Sequence, residues 1–137
     1  MHVGECVTLG GWVHRRRDLG GLIFVDLRDR DGLAQVAFGP DSAPPEVLRA
    51  AGSLTPETVV LVEGVVTHRP EGQTNPEMPT GEIEVRATSL RVVGPAVVPA
   101  IPVARGKGEP MASEDLRLRH RHLDLRRPEL FRNLELR

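Results

Sequence analysis

Residues 22–38, LIFVDLRDRDGLAQVAF, limit the possible folds of this chain more than any other stretch. Ile23, Val25 and Leu27 alternate with Leu22, Phe24, Asp26 and Arg28. After the loop Asp29-Arg30-Asp31-Gly32, Ala34, Val36 and Phe38 alternate with Leu33, Gln35 and Ala37. A period of two on both sides of a glycine-bearing loop specifies an antiparallel hairpin. A lone hairpin is marginal in water, so the remaining chain must bury its apolar face and cover its edges.

The rest of the sequence supplies the partners. Residues 7–13 alternate as a first strand, and the pair Gly10-Gly11 predicts a bulge or sharp coil within it. Asp18-Leu19-Gly20-Gly21 is a turn by composition. Residues 44–51 open with Pro44 and Pro45 and carry Val47, Leu48 and Ala51, the stripe of a short helix. Residues 58–67 are apolar on both faces, residues 70–80 form a polar loop rich in proline and glycine, and residues 81–93 alternate again. In that last strand Ile83, Val85 and Ala87 oppose Glu82, Glu84 and Arg86.

The order is three strands, a helix and two strands. It predicts an all-β fold: a five-stranded Greek-key barrel of the OB type, with a short helix between strands 3 and 4. We expect the barrel over residues 1–94, a Pro/Gly-rich linker over 95–112, and a short helical segment over 113–137. Ser113 would cap the first helical turn, and a helix would restart at Pro128.

The net charge of −1 gives no global signal for nucleic acid, so a basic footprint must be local. The only cysteine, Cys6, excludes an internal disulfide and fits a reducing compartment. No apolar run reaches the roughly 20 residues that span a bilayer, and the N-terminus lacks a signal-peptide layout. A cytoplasmic protein is expected, with no membrane contact. His120 and His122 lack metal-site spacing, and no phosphate-binding loop or paired catalytic carboxylates stand out. No catalytic or metal residue is assigned.

Binding signals gather instead on one face of the hairpin. Phe24 shares that face with Asp26 and Arg28, where its ring either stacks on a base or packs beneath a neighbouring loop. Gln35, on the adjoining strand, carries a donor and an acceptor suited to a base edge. Arg15, Arg16 and Arg17, with Arg28 and Arg30, can hold phosphates. Alternation prevents three consecutive arginines from facing one ligand, which favours Arg17 beside the turn.

The blocks GWVHRRRDLGGLIFVDLRDRDGLAQV, TGEIEVRATSL and SEDLRLRHRHLDLRRPE, in this order, resemble the N-terminal part of bacterial-type aspartyl-tRNA synthetases, over nearly the whole chain. The resemblance implies recognition of the tRNA anticodon GUC. It places the stacking phenylalanine at Phe24, beneath the middle base, the base-reading glutamine at Gln35, and the strand-end arginine at Arg17. It adds Leu19 in the turn, Glu84 near the first base, and Asn75 in the preceding loop. His14 stands where asparagine is expected.

The family's ATP- and Mg2+-dependent catalytic domain would follow Arg137, so the chain alone should be inactive and bind no cofactor. Residues 113–137 would be its hinge and beginning, and the parent enzyme a homodimer. The alternatives are a stand-alone OB module for tRNA or single-stranded nucleic acid, without catalysis, and a purely structural barrel.

Overall fold

A computed structural model describes residues 2–106 and 108–137. Met1, and Lys107 within the expected linker, lie outside the described residues. The first strand, β1 (Cys6–Asp18), runs through the arginine triplet and serves two neighbours. Its first half pairs antiparallel with β4 (Val59–His68), and its second half with β2 (Ile23–Arg28). The register slips between Val13 and Arg15, at His14, and not at the expected Gly10-Gly11 pair. The glycine at position 11 answers a different need. A Cβ there would lie 2.4 Å from the carbonyl oxygen of Arg28, where β1 changes partners.

β2 pairs antiparallel with β3 (Leu33–Phe38), which leads into α1 (Pro45–Gly52). β4 pairs antiparallel with β5 (Ile83–Gly94), and β5 meets β3 in parallel to close the sheet. The result is the expected five-stranded closed barrel, in the order β1-β2-β3-β5-β4. Ile23, Val25, Leu27, Val36, Phe38, Val60, Val62 and Val85 fill its interior, joined by Ala51 from α1. Each large side chain buried in this way contributes about 1.5–3 kcal/mol. The outer side of β2 and β3 is thereby left to the residues of opposite parity.

The described residues divide into two compact units, one through Val97 and one from Val98 onward. The second holds α2 (Glu114–Arg119), α3 (Arg121–Asp124) and α4 (Pro128–Glu135). Ser113 Oγ accepts from the Leu116 amide at 3.4 Å, the cap its sequence position suggests. The fully buried Asp124 carboxylate accepts from Arg117 Nε at 3.1 Å and from Arg127 Nη1 at 3.3 Å. Burial pushes its carboxyl up, but Arg117 and then Arg127 outweigh it and hold the pKa below the usual range. Among the described residues no helix is long and apolar enough to cross a membrane.

Candidate nucleic-acid interface

Register lines up two rungs across the outer face of the barrel. Arg15 stands opposite Asp26, and Asp26 opposite Gln35. Arg17 stands opposite Phe24, Phe24 opposite Ala37, and Ala37 opposite Arg86. The slip at His14 is what sets Arg15 and Arg17 in these rungs. Arg16 falls between them, opposite Val25, and its Nη1 donates to the carbonyl of Gly52 at the end of α1. The triplet is thus split by alternation, as its sequence implied.

Hydrogen bonds tie the first rung together. Arg17 Nη2 leans across to donate to Asp26 Oδ1 at 3.0 Å and to Gln35 Oε1 at 3.1 Å. Gln35 Nε2 donates to Glu84 Oε2 at 2.9 Å. The Arg17 guanidinium also lies over the Phe24 ring, 5.7 Å from its centroid.

Phe24 is only 8% exposed, yet it borders two hollows. One, of about 340 Å3, is lined by Arg17, Gln35, Arg69 and Asn75. The other, of about 360 Å3, is lined by Leu22, Ala37, Glu84 and Arg86. Leu19, Phe24 and Gln73 belong to both. The ring therefore both packs beneath its surroundings and walls off two compartments.

Leu19 reaches the site because the turn projects it. The Leu19 amide donates to the Leu22 carbonyl, Asp18 Oδ1 accepts from the Gly21 amide, and Leu19 remains 66% exposed. Asn75 is held by a loop folded tightly on itself: its amide donates to the Gly81 carbonyl. A Cβ at position 81 would lie 1.8 Å from the Asn75 carbonyl oxygen, so only glycine fits. Thr80 Oγ1 ties the loop to β3 by donating to the Leu33 carbonyl at 2.6 Å.

Arg28 departs from the expected set. It shares the face of Phe24 but lines neither hollow. Its Nη1 and Nη2 donate to both carboxylate oxygens of Glu57, at 3.0 and 2.8 Å, and its guanidinium lies over Trp12. A phosphate there would have to break a two-point ion pair. Its Nη1 also donates to His14 Nδ1 at 3.0 Å.

Arg69 escaped the sequence reading. It is 8% exposed, and its Nε donates to the Ile83 carbonyl at 3.0 Å. Burial lowers its pKa from the ordinary value. A position just past a strand that reads as apolar on both faces gave no sign of this. Arg86 did carry a signal, because it shares the parity of Glu84.

Chemically, the face offers a flat ring, a polar amide with an adjacent carboxylate, and guanidinium groups at its margin. Base stacking, edge reading and phosphate pairing need those components. Among the described residues no group of three or more His, Cys, Asp or Glu side chains could hold a metal.

Comparison with known proteins agrees. The model of the tRNA anti-codon family, described as an OB-fold nucleic acid binding domain, matches residues 7–93. The aspartate–tRNA(Asp/Asn) ligase of Rubrobacter xylanophilus is 55% identical over 133 residues, 97% of this chain and 21% of that protein. The enzyme of the same name from Bacillus subtilis is 48% identical over 135 residues, 98% of this chain and 22% of that protein. The chain thus spans about a fifth of the length of these curated relatives. Among solved structures, asparaginyl-tRNA synthetase from Pyrococcus horikoshii superposes with a TM-score of 0.73 at 30% identity, over 93% of this chain and 28% of that one. Aspartyl-tRNA synthetase from Entamoeba histolytica gives 0.80 at 20% identity, over 94% and 31%, which speaks to the fold alone. With the match running from strand to strand of the barrel, the chain belongs to the tRNA anti-codon family of OB-fold nucleic acid binding domains.

Proposed function

We propose that this chain reads the anticodon of an aspartate-accepting tRNA on behalf of an aspartate–tRNA ligase. The observation that carries the reading is the Phe24 ring standing between two hollows, with Gln35 in one and Glu84 in the other. The middle base stacks on Phe24 and presents its edge to Gln35. The first base sits on the Glu84 side. Arg17, Leu19 and Asn75 close the surface around them, and Arg28 is left out because Glu57 holds it. Entry of the base moves the Arg17 guanidinium off the face of the ring while its bond to Gln35 Oε1 is kept.

The parent enzyme esterifies tRNA with aspartate, using ATP and Mg2+ bound outside the region matched here. It works in the cytoplasm as a homodimer. On this reading the residues from Val98 onward would serve as the link between the barrel and the catalytic part of that enzyme.

Titration with an anticodon stem-loop bearing GUC tests the reading. Phe24→Ala should weaken binding by about 1–3 kcal/mol through lost stacking. Gln35→Ala should relax the choice of middle base more than it lowers affinity. Arg28→Ala should leave RNA affinity unchanged and lower stability by on the order of 1–3 kcal/mol. If the Phe24 and Gln35 variants both bind like the wild type, the proposal fails.

A further inference from the structure

The Gln35 amide is held from both ends. Arg17 Nη2 donates to its oxygen at 3.1 Å, and its nitrogen donates to Glu84 Oε2 at 2.9 Å. Gln35 and Glu84 are 6% and 5% exposed, so water cannot readily replace the bond between them. A guanidinium has only donors, and a carboxylate only acceptors. Turning the amide over would set its NH2 against Arg17 and its oxygen against Glu84. Both neighbours therefore select the same orientation, and a buried pair mismatched in this way is costly.

Orientation matters because the two pyrimidines present inverted patterns. Uracil places the O4 acceptor beside the N3–H donor. Cytosine places the N4 donor beside the N3 acceptor. An amide with its N–H toward position 4 and its oxygen toward position 3 pairs with uracil, and the same amide turned over pairs with cytosine. After its contacts with Arg17 and Glu84, Gln35 still has one N–H and one oxygen lone pair for a base.

We infer that Glu84 is a positioning residue which, by orienting the Gln35 amide, selects uracil over cytosine at the base stacked on Phe24. The inference rests on the proposed placement of the middle anticodon base against Phe24 and Gln35. It gives Glu84 an influence on a base it does not touch, besides its place near the first. Asp26 takes part indirectly, by holding the Arg17 guanidinium at 3.0 Å.

The test uses the whole chain and two stem-loops that differ only in the middle base, GUC and GCC. The quantity read is the ratio of their affinities. Glu84→Gln keeps the size of the side chain but can donate or accept, so it no longer opposes the turned amide and Arg17 alone is left to hold the orientation. The ratio should fall about tenfold, the effect of losing one orienting bond to a charged group, while GUC affinity falls less. Glu84→Met, apolar and of similar length, carries the same test should the glutamine variant fail to fold. An undiminished ratio in the folded Glu84 variant, where Gln35→Ala abolishes it, overturns the inference and leaves the anticodon reading standing. A wild-type chain with no preference for GUC over GCC overturns both.

Discussion

His14 shows how one side chain can couple this barrel to pH. Arginine only donates, so the bond from Arg28 Nη1 requires His14 Nδ1 as an acceptor and the ring neutral. Burial, and next the Arg28 charge, lowers the His14 pKa below the ordinary 6.5. The unfolded chain therefore takes up a proton at higher pH than the folded one. Stability is complete above the unfolded value and is lost as pH falls from there toward the folded value. His14→Asn should flatten the decline of Tm between about pH 7 and pH 5, followed by thermal melts across that range. Beside it, the arginine triplet shows what alternation can and cannot disclose. That Arg15, Arg16 and Arg17 must part company follows from a period of two. Which of them faces outward depends on the slip at His14, which no local pattern announced. The role of Arg28 was hidden for a similar reason. Its partner Glu57 lies 29 residues away in a left-handed conformation, φ 69°, rare for a residue with a side chain.

Strands were the most legible elements. Alternation over 22–28 and 33–38 placed Phe24 and Gln35 on one face, and the register Phe24↔Ala37 and Asp26↔Gln35 shows why. The loop between β4 and β5 was legible only as polar and irregular. Its shape comes from backbone contacts that composition does not encode, the bond between Asn75 and Gly81 above all. Gly81→Ala forces a methyl into the Asn75 carbonyl. The loop must open, at a cost of about 1–3 kcal/mol as for other overpacked sites. We expect weaker stem-loop binding from this variant, together with faster amide exchange at Asn75, as measured by RNA titration and hydrogen exchange.

For the whole molecule, a net charge of −1 conceals a local cationic margin. Arg86 is exposed at the rim of the Glu84 hollow, in line with Phe24 and Ala37. If it meets a phosphate, Arg86→Ala should reduce the slope of log affinity against log salt by about 0.7, the value for one single-strand phosphate. Stem-loop titrations at several salt concentrations give that slope, and Arg28→Ala should leave it unchanged. The order of elements disclosed the barrel because helix and strand periods differ, whereas its closure depends on pairing between strands distant in sequence. That closure is narrow. β4 and β5 share ten rungs, but β3 and β5 share only Val36↔Val85 and Ala37↔Arg86. The joint runs directly under the proposed RNA surface, between Gln35 and Glu84. A nucleic acid lying across it would act as a splint, so the barrel would resist opening most when loaded, and occupancy would be recorded as mechanical strength.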